Sequence, residues 1–201
     1  LKPDERLLCE VTGLVEWPVV LVGKLDDHFM SLPEEVLVSE MKQHQRYFPL
    51  YENEEARAGG ITKYFLITAN MVTADGGKAV IAGNERVLRA RLADGEFYWN
   101  QDRKTKLDEW AKKLSDVTFH AKIGTIAQKV DSMAKLATSI ADATKTDNKQ
   151  VERAARLCKA DLVTGMVGEF PELQGTMGRY YAQQQGEAPE IADAIRNHYL
   201  P

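Results

Sequence analysis

The hydrophobic pattern divides the chain into two parts with different folding potential. Before about residue 115, short β-rich runs alternate with helical stretches, and the clearest strand is at residues 63–70. Beyond that point no strand-like run exceeds a few residues, and helical stretches follow one another between Gly and Pro. The pattern therefore predicts an α+β domain at residues 1–115 and an all-helical domain at residues 116–201.

Individual elements can be predicted within both parts. In the first part we expect strands at residues 7–11, 18–23, 46–51 and 63–70. We also expect a helix capped by Ser31, a polar loop at residues 53–60, and a helix at residues 78–100 with a break at Gly83–Asn84. In the second part we expect helices at residues 126–144, 148–166, 173–185 and 190–198.

Composition narrows the possible classes of function. The formal net charge of -4 argues against a protein that coats DNA, although a local basic surface remains compatible with it. Cys9 and Cys158 form no CxxC pair, so we interpret them as small buried apolar residues in a reducing compartment. No apolar run approaches the roughly 18 residues of a membrane span. The abrupt start without Met leads us to expect a piece of a longer protein.

Three arginines, Arg86, Arg89 and Arg91, lie in one short amphipathic helical run. In helical projection Arg86 and Arg89 lie opposite the apolar side, whereas Arg91 lies inside it and would need a partner such as Asp94. Two readings of the outer arginines stay open: ordinary solvated charges, or a face for RNA phosphate, which accepts two parallel bonds from a guanidinium. The aromatic run at residues 97–99 either stacks on bases or belongs to the core.

Other polar residues give weaker signals of chemistry. Lys42, His44 and Arg46 leave a helix together, but His44 has no Ser or Cys nucleophile near it in the sequence. The four histidines lack metal-ligand spacing, and no glycine-rich phosphate loop occurs. Asp161 lies at the edge of an apolar helix face, where it either satisfies a backbone group or a basic neighbour (Arg156 or Lys159) or has a function. We predict no catalytic residue and no metal site.

Four long stretches resemble one family in order along the chain. They are LVEWPVVLVGKLDDHFMSLPEEVLVSEMKQHQRYFPLY (residues 14–51), FLITAN (65–70), GNERVLRARLADGEFYWNQD (83–102) and LCKADLVTGMVGEFPELQGTMGRYYAQQQGE (157–187). The sequence resembles the beta subunit of the bacterial two-subunit glycyl-tRNA synthetase. The resemblance implies that residues 1–115 are the end of a B3/B4-like domain and that residues 116–201 are the start of an HD-like helical domain.

The resemblance also implies a function. The whole enzyme would attach glycine to tRNA(Gly) in the cytoplasm, as a heterotetramer of two alpha and two beta subunits. ATP with magnesium would be used on the alpha subunit, and this piece would need no cofactor of its own. Its role would be tRNA binding and scaffolding, with Arg86 and Arg89 as the leading tRNA contacts and Lys42, His44 and Arg46 as further ones.

Two other classes of function stay open. One is a hydrolase, either an editing site in the first part or a metal-dependent phosphohydrolase in the second. The only adjacent Asp and His residues, at positions 26–28, lie in the first part rather than the second. A synthetase for glycine also has little need of editing, because a small pocket excludes larger side chains. The other class is a purely structural connector.

Overall fold

A computed structural model gives the fold of residues 4–52 and 60–200. Contacts between residues group the chain into two units, Leu1–Phe97 and Tyr98–Pro201. This division falls earlier than the domain boundary that we predicted after residue 115, and the boundary at 115 stays a prediction. The predicted polar loop at residues 53–60 lies almost entirely outside the described residues.

The first unit combines helices with a small sheet. Its elements are α1 (Glu5–Leu14), β1 (Val19–Lys24), α2 (Glu34–Ser39), β2 (Phe48–Tyr51), β3 (Ile61–Ala69) and most of α3 (Lys78–Asp102). A 3-10 turn at Asp27–Ser31 precedes α2, and a π-helical segment at Glu40–His44 continues it. The three strands form an antiparallel sheet in the order β1-β3-β2, in which Val20 pairs with Thr68 and Phe48 with Leu66. The predicted strands at 18–23, 46–51 and 63–70 are thus confirmed.

The first predicted strand, at residues 7–11, is wrong because this stretch lies inside α1. The Asp4 carboxylate accepts a hydrogen bond from the Leu7 backbone N–H at 3.0 Å and caps the helix. Leu7 and Val11, four residues apart, are both buried and form one apolar cluster with Phe48 of β2. Burial at helical spacing therefore overrides the β propensity of the residues.

Helix α2 begins later than predicted. Its N-cap is Pro33 rather than Ser31, whose hydroxyl donates instead to the His28 carbonyl at 2.8 Å. The helix at residues 78–100 was predicted with a break, but α3 runs through Gly83–Asn84 without interruption. The Asn84 side-chain amide donates to the Val80 carbonyl at 2.7 Å, so this residue bonds within the helix instead of ending it.

The buried stripe of α3 differs from the predicted one. Leu88, Leu92 and Trp99 are buried, whereas Val87 is 45% exposed. Arg91 is exposed as well, so the prediction that it lies in the apolar arc and needs a partner is wrong. The buried positions are i, i+4 and i+11 counted from Leu88, which recur on one side of a helix, and this spacing leaves Val87 and Arg91 outside the contact face.

The second unit is mainly helical. It contains α4 (Leu107–Lys112), β4 (Thr118–His120), β5 (Gly124–Thr125), α5 (Ile126–Thr144), α6 (Asn148–Leu157), α7 (Gly165–Glu169), α8 (Thr176–Gln184) and α9 (Pro189–Asn197). The predicted helices at residues 126–144 and 190–198 are confirmed. Helix α5 starts at a capping box in which the side chains of Thr125 and Gln128 bond each other's backbone N–H groups.

Two predictions for the second unit are wrong. The all-helical prediction missed the antiparallel hairpin of β4 and β5, where Thr118 pairs with Thr125. The single helix predicted at residues 148–166 is divided into α6, a 3-10 turn at Ala160–Val163 and α7. Thr164 caps α7 with its side chain and therefore begins a new helix at this point. Helix α8 starts at Thr176 because Gly175, with a φ of 78°, precedes it.

The core of the second unit is rich in aromatic and long apolar side chains. Tyr181 is 1% exposed, and its ring lies 5.7 Å from the ring of the buried Trp99. Trp99 therefore belongs to the core, whereas Phe97 is 62% exposed, so the core reading of the run at residues 97–99 holds for Trp99 and not for Phe97. Within the described residues, the helices are too short or too polar to cross a membrane.

We expect an added methyl group to change the free energy of unfolding in opposite directions at two glycines of the first unit. A Cβ at Gly83 in α3 meets no atom within 4 Å. Gly83→Ala should therefore raise the free energy of unfolding by about 0.5–1 kcal/mol through helix propensity. Gly77 has a φ of 89°, and a Cβ there meets Leu21 at 2.7 Å, so Gly77→Ala should lower the free energy of unfolding. Urea unfolding of both variants measures this, and shifts of the same sign would contradict it.

Candidate nucleic-acid interface

Arg86 and Arg89 lie on α3 and are both exposed. The Arg89 guanidinium donates to both carboxylate oxygens of Asp26, from Nε at 2.6 Å and from Nη2 at 3.3 Å. This hydrogen bonding lowers the pKa of Asp26 and raises that of Arg89. In the described ranges Arg86 forms no ion pair, so the two predicted contacts differ in their availability for a ligand.

The second predicted group lies on and just after the π-helical segment. Lys42 forms an ion pair with Asp4, and Arg46 forms one with Glu10, with Nε 2.7 Å from Oε1. Asp4 is the N-cap of α1 and Glu10 lies within it, so the two pairs attach that helix to the segment and the residues just after it. The hydrogen bond from Lys42 is the largest cause of a lowered pKa at Asp4. His44 lies between the two cations in sequence and is exposed.

Arg46, two residues after the π-helical segment, has a conformation that is uncommon for residues other than glycine. Its φ is 54°, in the left-handed region, and its guanidinium donates to the Gln43 carbonyl at 2.6 Å. Arg46 and Asn84 of α3 also line one cavity of about 380 Å³ in the first unit. The fold thus brings the Arg46 segment close to the N-terminal half of α3.

Two buried carboxylates in the second unit hold helix N-termini. Asp102 is 3% exposed, and its oxygens accept hydrogen bonds from the backbone N–H groups of Gly165 at 3.0 Å and Met166 at 2.8 Å. The Tyr181 hydroxyl donates to the same carboxylate at 3.1 Å. Asp102 carries no local signal in the sequence, because its partners lie more than 60 residues away.

Asp161 plays the same part at α8. It is fully buried, and its Oδ2 accepts from the backbone N–H of Gly175 at 2.5 Å and of Gly178 at 3.0 Å. This agrees with the reading in which Asp161 satisfies backbone groups. Arg156 pairs instead with Glu152 and Asp131. Burial raises the pKa of Asp161 to about 6, because a charged carboxylate is poorly solvated there.

Both aspartates are therefore engaged in holding helix ends, a role that needs no ligand. Over residues 4–52 and 60–200, no three His, Cys, Asp or Glu side chains group in a way that could hold a metal ion. Cys158 is buried as predicted, and burial raises the pKa of its thiol to about 11, so the thiol stays protonated near neutral pH. Cys9 is exposed, so the prediction that it is buried is wrong.

The fold and these sites define a helix-rich α+β protein with exposed cations, some of which form ion pairs with the described carboxylates. The family model for the glycyl-tRNA synthetase beta subunit matches residues 1–201. The chain is 52% identical over 204 residues to the glycine–tRNA ligase beta subunit of Rhodospirillum centenum, covering 100% of the chain and 28% of the relative. The chain belongs to the glycyl-tRNA synthetase beta subunit family, which confirms the resemblance found in the sequence.

Other relatives carry the same name. The glycine–tRNA ligase beta subunit of Neisseria meningitidis serogroup C is 52% identical over 198 residues, which cover 98% of the chain and 28% of the relative. The corresponding subunit of Phenylobacterium zucineum is 49% identical over 205 residues, covering 100% of the chain and 30% of the relative. The chain therefore spans less than a third of the length of these relatives.

The buried Asp161 predicts a specific pH dependence of stability. Its pKa is 3.8 in ordinary surroundings and about 6 in the fold, so the folded state binds the proton more tightly. Its contribution to the free energy of unfolding is greatest below pH 3.8 and is lost as the pH rises through 6, by at most about 3 kcal/mol.

Asp161→Asn keeps an oxygen acceptor for the Gly175 and Gly178 N–H groups but cannot titrate. We expect the difference in unfolding free energy between the original chain and this variant to decrease steadily from pH 4 to pH 6, as measured by urea unfolding at each pH. A difference that stays constant over this range would show that Asp161 titrates normally.

Proposed function

We propose that this chain is a tRNA-binding and scaffolding segment of a glycine–tRNA ligase beta subunit. The observation that carries the proposal is the family match over all 201 residues, together with relatives named as ligase beta subunits at about 50% identity. In this proposal ATP and magnesium are used on a separate alpha subunit, where glycine is activated, and this segment helps to position the tRNA.

The proposal includes the assembly and the domain types. A beta subunit implies an alpha partner, and we propose a cytoplasmic heterotetramer of two alpha and two beta subunits. We propose that the first part is B3/B4-like and that the helical part is HD-like. The small antiparallel sheet of β1–β3 and the packed helices α5–α9 are compatible with these types. No observation in the comparisons favours the hydrolytic alternative.

Arg86 is the strongest of the proposed tRNA contacts in the first unit. Its side chain is exposed and has no ion-pair partner in the part of the chain that the structure describes. Arg89, Lys42 and Arg46 already have carboxylate partners, so phosphate would have to compete with Asp26, Asp4 and Glu10 for them. A guanidinium has five N–H donors, and Arg89 can therefore contact phosphate while it keeps Asp26. Exposed His44 would be an additional hydrogen-bond donor.

Reversing the charge of Arg86 in the complete two-subunit enzyme should weaken productive tRNA binding. We expect Arg86→Glu to raise the KM for tRNA roughly five- to tenfold, since it removes a phosphate donor and adds repulsion. Glycine-dependent ATP–pyrophosphate exchange should stay unchanged, because that step does not use tRNA.

Arg91→Glu is the matched control. Arg91 lies on the same helix, is also exposed, and undergoes the same change of charge, but it is five residues further on and therefore lies about 140° around the helix from Arg86. Steady-state aminoacylation kinetics of both variants test the assignment. Equal KM values for tRNA in the two variants would remove Arg86 from the set of contacts.

A further inference from the structure

A second cluster of positive charge lies in the second unit, between α3 and α4. Arg103, Lys104 and Lys106 are exposed within four residues of one another. The Arg103 guanidinium lies 5.1 Å from the centre of the Trp99 ring, and the Lys104 ammonium donates to the Gln101 side chain at 3.0 Å. As far as the described residues go, none of the three cations forms an ion pair.

The acidic residues around this turn are engaged elsewhere. Asp102 accepts from backbone N–H groups and from the Tyr181 hydroxyl. Asp108 accepts from Arg153 Nη1 at 2.5 Å, and Glu187 accepts from Arg153 Nε at 3.0 Å. Arg153 is the largest cause of the lowered pKa of Asp108. Because these carboxylates are bound by other groups, the cations of the turn can interact with solvent or with a ligand.

The same turn forms one side of a groove. A surface cavity of about 510 Å³ is lined by Asn100, Arg103, Lys104, Gln184 and Gln185, and we call it the α3–α4 groove. This volume lies in the usual range of ligand sites. Gln185 fixes its shape, since its side chain accepts from the Leu107 N–H at 2.9 Å and donates to the Thr105 carbonyl at 3.2 Å. The lining thus joins two cations with amide side chains.

We propose that the α3–α4 groove binds the phosphate backbone of tRNA. This inference rests on the proposed function, to which it adds a contact in the second unit. Guanidinium and ammonium groups are the donors that proteins use for phosphate oxygens, and amides bond ribose and base edges. The Trp99 ring restrains Arg103, which lowers the entropy lost when the guanidinium binds. The hydrogen-bonded turn is already in place before the RNA arrives.

The test uses the complete two-subunit enzyme. Arg103→Glu together with Lys104→Glu should raise the Kd for tRNA(Gly) roughly tenfold at about 0.15 M salt. The slope of log affinity against log salt should become shallower by about 1–2, because each lost phosphate contact removes about 0.9. Glycine-dependent ATP–pyrophosphate exchange should be unchanged. The variant Arg103→Gln with Lys104→Gln should show the same shallower slope with a smaller loss of affinity, and it serves if charge reversal disturbs folding.

A control with Lys122→Glu and Lys135→Glu makes the same change in net charge at two other exposed lysines of the second unit. It should retain the original Kd and salt slope. Equal Kd values and slopes in the groove variant and this control would overturn the proposal. So would a groove variant that binds tRNA normally but no longer associates with the alpha subunit, since the groove would then be a protein interface.

Photochemical cross-linking of tRNA to the original enzyme distinguishes the proposed role of the groove from the proposed tRNA-binding function of the whole chain. A cross-linked peptide that contains residues 103–106 supports the groove. Cross-links confined to residues 1–97 of this chain would overturn the groove and keep the proposed function. If all cross-links lie outside the 201 residues, both proposals fail.

Discussion

The arrangement of the second unit depends on the carboxylate of Asp102. A buried charge costs several kcal/mol unless hydrogen bonds replace its water, and Asp102 obtains them from Gly165, Met166 and Tyr181. These bonds attach the last residue of α3 to the start of α7 and to α8. Because residue 103 follows immediately, the same bonds fix the place from which the basic turn leaves the helix. The core and the candidate surface therefore share one anchoring group.

Asp161 caps α8 in the same way, and here the contact requires that residue 178 be a glycine. A Cβ on Gly178 would lie 3.0 Å from the Asp161 carboxylate and 2.7 Å from Ile195 of α9. The carboxylate can therefore approach the backbone N–H groups only because no side chain stands in between. The helix N-terminus favours negative charge, whereas burial opposes it, and burial prevails enough to raise the pKa of Asp161 to about 6.

Elements with a local signal could be predicted from the sequence, whereas contacts that depend on distant partners could not. Strand β3 and helix α5 followed from propensity, periodicity and caps, and the family followed from long specific stretches. The residues of α1 resembled a strand until burial against Phe48 was known. The arginines of α3 could be placed on a helix, but the partner of Arg89 is Asp26, 63 residues away in sequence. Neither this pair nor the cap made by Asp102 could be predicted from spacing, and for Asp161 the sequence offered backbone groups only as one of several partners, without identifying Gly175 and Gly178.

In an acidic chain, the ion pairs that a cation already forms determine how much it gains by binding a polyanion. If Arg89 bound a phosphate, its bond to Asp26 would have to be shared or exchanged, so one anion would partly replace another and the net gain would be small. A cation that forms no ion pair with the described residues, such as Arg86 or Arg103, would exchange only counterions, whose release favours binding at low salt. A net charge of -4 is therefore compatible with RNA binding if the carboxylates near the contact are held by other groups. Around Arg103 and Lys104 they are held in this way, by Arg153 and by backbone N–H groups.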